Sequence, residues 1–371
     1  MRMKKIINWR TLTMFLLVAV TGLIAMYFVN HNQAFYREPI GQVVAVKNGK
    51  PQKQKDTFDN VDHTTSQVVT VRVVNGKYKE QHIKVTNEFT DSHAMDQRYR
   101  VGDQVFLSIQ RGGHGALSAT IQGYKRDRIL VFLVWLVVCL LLLIMKFKGA
   151  LAFLSVLLNA VIFFISIQLD LNFQGNHVMW IFGSLAFVFA VVTLLIVQGP
   201  TKQMMATLGA TTIGTVLSMV ISLLVFSWTH ERGMYYESMQ YVTQVARPLF
   251  LAETLLGSLG AVMDESTDIV STLFELKTLN PDISAKSLFL SGRRVGQSIM
   301  GPLINVLFMI FMADTFTSSL LYIKNGNSWG YTFAMNMGLG TVQSLISGIG
   351  IVLAIPVASA FAGLLLGKRR A

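Results

Sequence analysis

Apolar runs of roughly 20 residues alternate with short polar punctuation along most of the chain, and a run of that length matches the hydrocarbon thickness of a bilayer. Such runs predict helices at Thr11 to Val29, Ile129 to Phe147, Ala150 to Leu169, Val178 to Val197, Met205 to Trp228, Leu249 to Leu276, Val295 to Ile323 and Phe333 to Leu366. The last three are long enough to tilt or kink. Between the first and second runs the period changes to two. Gln67 to Val74 reads as a strand, Asn75-Gly76 as a hairpin turn, and Tyr78 to Val85 as the returning strand. A turn at Tyr99 to Gln104 feeds another strand at Val105 to Ile109, whereas the polar stretch Asn48 to Thr65 reads as a mobile loop. The pattern predicts a mainly α fold, a polytopic membrane bundle of about eight transmembrane helices with a small β-rich barrel of the OB or SH3 kind. Residues 1–29 form a cytoplasmic N-terminus and signal-anchor helix, residues 30–128 an extracytoplasmic β-rich domain, and residues 129–371 a seven-helix bundle with a cytoplasmic C-terminus.

Composition supports the membrane reading. Of 371 residues, 52% are hydrophobic and only 14% charged, too few charges to cover a soluble surface, so the apolar side chains face lipid. The net charge of +12 does not point to nucleic acid, because the basic residues flank membrane segments instead of clustering on one soluble face with aromatics. Arg2, Lys4, Lys5 and Arg10 precede the first run in the manner of a secretory signal or anchor, and Asn30-His31-Asn32 offers no small-x-small cleavage site. A retained helix is the expectation. Cationic flanks stay cytoplasmic, which places Lys146, Lys148, Lys202, Lys277, Lys286, Arg293, Arg294, Lys368, Arg369 and Arg370 inside with the N-terminal group. The short outer loops keep only Arg232, Arg247 and Lys324. Both termini are then inside and the β-rich domain outside, in the cell membrane.

Cys139 lies within an apolar run and reads as an inert thiol with no disulfide partner. His31, His63, His82, His93 and His114 cluster in the soluble domain, but their spacing matches no zinc template. No cofactor is expected.

The run at Leu249 to Leu276 carries the candidate chemistry. At about 100° per residue, Glu253, Asp264, Asp268 and Glu275 fall within an arc of roughly 60°. Gly257, Gly260 and Ser271 share that stripe, and Leu255, Leu259, Val262, Ile269 and Leu273 occupy the other side. Glu265 points away, nearer the flank. Glu253 and Glu275 are roughly 33 Å apart along the helix, with Asp264 near the middle. Lipid does not tolerate such a stripe, which therefore marks a polar pathway or a tight bundle interface. Water-exposed helix ends would account for Glu253 and Glu275 without function, and a helix lying in the membrane interface would account for the whole segment. Ala210, Gly214, Ser218 and Ser222, flanked by Thr211, Thr212 and Thr215, allow close helix packing. Pro302 after Gly301 predicts a kinked or broken helix that also carries Asn305 and Asp314, and Asn159 adds a buried amide. Carboxylates, hydroxyls and amides are hard donors suited to protons or to Na⁺, Mg²⁺ and Ca²⁺.

At Gly257-Ser258-Leu259-Gly260-Ala261-Val262-Met263-Asp264 and at Val295-Gly296-Gln297-Ser298-Ile299-Met300-Gly301-Pro302-Leu303-Ile304-Asn305 the chain resembles the YibE/F-like family of bacterial multipass membrane proteins. The plan of a first helix, an external β-rich domain and a helical bundle is similar as well. The resemblance implies a cytoplasmic-membrane location and, often, a related companion membrane protein. It brings no activity with it. The family pattern matches at Asp264, Glu275 and Asn305, while Glu265 and Asp268 depart from it.

These observations lead to a non-enzymatic transporter or permease component for protons, a cation or a small solute, with Asp264 at the core of a pathway that includes Glu253, Asp268, Glu275, Asn305 and Asp314. The alternative from another class is a cell-envelope scaffold, whose mildly cationic outer domain binds a partner while the bundle anchors it. An intramembrane aspartyl protease pairing Asp264 with Asp314 lacks the YD and GxGD signatures. Motifs for phosphate cradling and for a nucleophile elbow are missing.

Overall fold

Inward-facing Val69, Val71 and Val73 alternate with outward-facing Val68, Thr70 and Arg72 in the longest of six antiparallel strands among the described residues. The computed structural model describes residues 9–55, 57, 59–93, 96–111, 117–173, 175, 177–239 and 245–366. Arg2, Lys4, Lys5, Lys368, Arg369, Arg370 and His114 lie outside the described residues. The chain divides into two compact units, Met1–Lys146 and Phe147–Ala371; it is mainly helical, with a curled N-terminal sheet.

In the first unit, helix α1 (Trp9–Asn30) leads into β1 (Ile40–Asn48), β2 (Gln52–Lys55), β3 (Val61–Val73), β4 (His82–Thr90), β5 (Gln104–Arg111) and β6 (Leu117–Tyr124), followed by α2 (Asp127–Met145). The sheet order is β2-β3-β1-β5-β6, with β4 on the other edge of β3. One edge of β3 serves two partners in succession, β2 through Val61 to Thr64 and then β1 through Gln67 to Val73. Bulges at Val43/Ala45 and at Phe106/Leu107 coil the sheet, so that Val43, Val69, Val71, Ile83, Val85, Val105 and Leu107 meet in one core. Gly41 is required by this coiling, because a Cβ there would stand 2.1 Å from Val71 Cγ1.

Two expectations are corrected. The polar stretch Asn48 to Thr65 is not a loop throughout; it supplies β2 and the start of β3, whose outward side chains are polar because that hairpin arm has no core to cover. The β3–β4 hairpin exists, but Asn75 does not serve a two-residue turn. Its buried amide takes Ile40 N at 2.6 Å and donates to Gln33 O, Tyr36 O and Glu38 O at 2.8, 3.2 and 3.0 Å. The connection is therefore longer, and β4 starts at His82, after the predicted Tyr78.

Gln67 is fully buried and has both ends of its amide occupied. Nε2 donates to Asn48 Oδ1 (2.9 Å) and Tyr99 O (3.0 Å), while Oε1 accepts from Tyr99 N (3.1 Å) and Asn87 Nδ2 (3.2 Å). At the other end of the sheet, Lys125 Nζ lies 2.7 Å from Asp127 Oδ2 with its side chain 3% exposed, and donates to Val29 O at 2.9 Å. Asp127 also accepts from Asn32 Nδ2 (3.1 Å) and Tyr36 OH (2.9 Å). Burial, with the Asp127 carboxylate beside it, pushes the Tyr36 hydroxyl up from its ordinary value, so it stays a donor. One ion pair thus joins the end of α1, the linker, β6 and the start of α2. Farther along, Trp135 Nε1 donates to Val18 O at 2.9 Å, in space left by Gly22.

The second unit contains α3 (Phe147–Asn172), α4 (Val178–Gln198), α5 (Lys202–Thr229), α6 (Ala246–Leu279), α7 (Ala285–Lys324), α8 (Trp329–Thr332), a π-helical turn (Phe333–Met337) and α9 (Gly338–Leu366). Thr201, Ser284 and Ser328 cap α5, α7 and α8 by accepting from Met204 N, Ser287 N and Tyr331 N. Helix α9 is central. Small residues let its neighbours close in: Gly350 and Gly214 both face Val262, and Gly292 and Gly296 sit against Ser359 and Ile355. The small-residue row of α5, Ala210, Gly214, Ser218 and Ser222, is buried throughout. Among the described residues, six helices are long and apolar enough to cross a membrane: α2, α3, α4, α5, α7, and Trp329–Leu366 taken together. That is fewer than the eight expected, because α6 carries too many charges and the described apolar stretch of α1, Leu16–Asn30, is short. Of the kinked or broken helix expected at Pro302, the break is excluded, since α7 continues through that residue. The irregular backbone sits in the π turn instead.

Lys125→Met leaves the Asp127 carboxylate half enclosed without its cation, and is expected to destabilise the first unit by about 2 kcal/mol. Lys125→Met/Asp127→Leu should recover part of the loss. Thermal unfolding of the purified chain, followed by near-ultraviolet circular dichroism, reads both.

Candidate functional site

Helix α6 packs its apolar side so tightly that its rotation is fixed. Val262, Ile269, Val270 and Leu273 have no exposed surface, and they meet α5 and α9 through Ala206, Ala210, Ile355 and Ala358. Phe226 near the end of α5 packs with Phe250 near the start of α6, so the two helices are antiparallel. The helix is integrated into the bundle along its length and does not lie apart as a surface segment. Opposite that side, Glu253, Gly257, Gly260, Asp264, Asp268 and Glu275 are all exposed on the unit. The stripe is where its 60° arc placed it.

Asn305 and Asp314 are exposed on α7. Asp314 is within electrostatic range of Glu253, whereas the acidic neighbour of Asp264 is Asp268. The structure therefore brings Glu253 and Asp314 together across two helices, and does not pair Asp264 with Asp314. Among the described residues, no polar contact joins Asn305 to the stripe, and no Lys or Arg is ion-paired to any of these acids. A charge at the centre of a membrane helix costs about 2.5–3.5 kcal/mol on insertion scales. Acids are retained at such a position only where water or another protein surface covers them.

The π turn places Asn336 against α7, one turn beyond Asp314. Asn336 Nδ2 donates to Ser319 Oγ at 2.7 Å and Thr315 O at 3.2 Å, and Oδ1 accepts from Ser318 Oγ at 3.0 Å. Backbone irregularities of this type recur at functional sites. Apolar periodicity carries no signal for it.

A second carboxyl lies inside the packing. Glu265 is 1% exposed and neither of its oxygens has a hydrogen-bond partner. The hydroxyls of Ser266 on the same helix, and of Thr211 and Thr215 on α5, are likewise buried without a partner. Since Gly214 faces Val262 and the helices are antiparallel, Thr211 and Ser266 occupy the adjacent layer of the α5–α6 contact. Helical phase put Glu265 on the flank, and the flank proves to be a packed one. Thr254, Ser258 and Ala261, which precede it on the same row and are all buried, are small, and that was the available sign of close packing.

The α5–α6 connection is held by Glu231, which accepts from Arg247 Nε at 2.6 Å and from Tyr236 OH at 3.2 Å. Burial and the Glu231 carboxylate push Tyr236 up to about 12, which keeps it a neutral donor. Asn159 Nδ2 donates to Thr193 Oγ1 at 2.7 Å between α3 and α4. In the sheet, His63 contacts Asp91 at 3.2 Å and His93 contacts Asp96 at 3.4 Å, both on exposed surface.

A family model described as YibE/F-like protein matches residues 133–368, and one described as YibE/F family N-terminal domain matches residues 34–124. Neither a curated protein nor a solved structure matches the chain.

An unpartnered buried carboxyl costs stability that an apolar side chain of similar size does not. Glu265→Leu is therefore expected to stabilise the chain by about 1–3 kcal/mol, and Glu265→Lys to destabilise it, in thermal unfolding of the purified protein. A loss of stability in Glu265→Leu would mean that the carboxyl has a partner.

Proposed function

The chain belongs to the YibE/F-like family, and we propose that it is a non-enzymatic permease component of the cell membrane, passing protons, a cation or a small solute along the carboxylate face of α6. The single observation that carries this reading is the stripe Glu253, Asp264, Asp268 and Glu275, left exposed on a helix whose opposite side is locked into the bundle. Acids held in such a place are retained for conduction or binding, since they cost stability. Asp264, nearest the middle, is the central group, and Asn305 and Asp314 extend the polar face onto α7.

The same reading takes α1 and α6 as membrane spans beside the six apolar helices, giving eight, with both termini cytoplasmic and residues 30–128 outside. It takes the curled sheet as a small barrel of the OB or SH3 kind. A related companion membrane protein covering part of the acidic face would meet the need for a second surface over the stripe.

In reconstituted vesicles, Asp264→Asn is expected to lower ion-dependent flux at least tenfold while leaving assembly and thermal stability unchanged. Glu237→Gln, in the outer connection away from the stripe, should change flux less than twofold. Unaltered flux in Asp264→Asn would remove the pathway reading.

A further inference from the structure

The first unit holds a depression of about 800 Å³ where the sheet meets the helices. Its cationic walls come from two places. Arg98 and Arg100 lie on the segment before β5, and Lys125, Arg126 and Arg128 lie where β6 runs into α2. Asp96, Asp103 and Asp127 also line it, so five cationic side chains face three acidic ones. The three acids are already engaged. Lys125 neutralises Asp127. Asp96 accepts from Thr90 Oγ1 at 2.6 Å and contacts His93, and its hydrogen bonds outweigh the effect of burial and hold it below the usual carboxylate range. Asp103 accepts from the Arg100 backbone N at 2.7 Å. By contrast Arg98, Arg100, Arg126 and Arg128 are exposed, and among the described residues none of them is ion-paired. The Arg98 guanidinium is steadied over the Phe89 ring at 5.4 Å, and Tyr124 OH donates to Arg98 O at 2.5 Å.

Guanidinium forks match phosphate oxygens in geometry as well as charge. Position selects the source of the phosphate. Helix α2 reads as a membrane span from Asp127 onward, so Arg126 and Arg128 stand at headgroup level. Immediately below them Ile129, which itself lines the depression, is exposed at 65%, and Leu130 and Leu133 continue the apolar surface of α2 at 58% and 50%. A soluble phosphate would use the arginines alone. A lipid uses both surfaces.

We infer that this depression binds the phosphate of an anionic lipid headgroup, with the acyl chains lying along the exposed face of α2. A basic side chain near an anionic lipid surface is worth a factor of about 5 in affinity. Arg98→Gln/Arg100→Gln and Arg126→Gln/Arg128→Gln are each expected to weaken retention of phosphatidylglycerol about 25-fold. Retention is read by native mass spectrometry of the full chain released from nanodiscs of phosphatidylcholine doped with phosphatidylglycerol. Lys77→Gln/Lys79→Gln, which removes two exposed charges from the β3–β4 connection, should leave retention within twofold. Should either arginine pair disturb assembly, Arg126→Lys/Arg128→Lys keeps the charge and removes the fork, and is expected to weaken retention severalfold. Retention that survives both arginine pairs, or that falls equally in the Lys77/Lys79 variant, overturns the site. Saturable binding of glycerol 3-phosphate to the chain in pure phosphatidylcholine nanodiscs, with no preference for phosphatidylglycerol, overturns the lipid as its occupant.

Discussion

The rotation of α6 about its own axis is the constraint from which the arrangement of the second unit follows. Val262 is gripped on two sides, by Gly214 of α5 and Gly350 of α9, where an added Cβ would stand 3.0 and 2.7 Å from its methyl groups, so a side chain at Gly350 forces a shift. With that point held, every fourth or third residue has its direction assigned. Ile269 and Leu273 go inward, Asp264 and Asp268 outward, and Glu265 is carried into the packing against its own chemical preference. Helices in a bilayer gain little from hiding apolar surface from one another, so close approach through small residues does the work that the hydrophobic effect does in water.

The first unit is organised by different means. Its core is a coiled sheet of valines whose burial contributes roughly 1.5–3 kcal/mol per side chain, but which strand meets which is decided by two buried amides and one ion pair. Gln67 and Asn75 take backbone groups from segments that have no ladder partner of their own. The Lys125–Asp127 pair then ties both helices to the sheet. Polar groups enclosed and fully satisfied in this way specify an arrangement more than they stabilise it.

Much of this is readable in the amino-acid sequence, and the failures have physical causes. Most helices of the second unit fall within a few residues of their apolar runs, because hydropathy acts on the whole segment, but α7 starts at Ala285, well before the expected Val295, since its first turns carry Lys286, Arg293 and Arg294 and have no hydropathy signal. The phase of the acidic stripe was also legible, since 100° per residue requires no knowledge of neighbours. Strands at Ile40–Asn48 and Leu117–Tyr124 were not found; the first contains Gly41 and a bulge, and the second, though Leu117, Ala119 and Ile121 alternate with polar residues, is short and ends beside Gly123. The fate of Glu265 depended on which neighbour fills the flank of α6, a fact that periodicity within one helix does not contain. Likewise Pro302 is accommodated within a continuous α7, where freed backbone groups can be tolerated, and the sequence offers no rule that distinguishes that outcome from a break.

The π turn at Phe333–Met337 holds one residue more than an α turn would. Everything beyond it in α9 is thereby advanced by about 100° relative to what α8 alone would dictate, and this offset is what aims Gly350 at Val262. The turn is accordingly the one stretch of that long apolar segment where chain length can change by a residue and be absorbed locally, by reversion to ordinary helix. Past Gly338 the same change would swing Gly350 by about 100° away from Val262 and part α9 from α6.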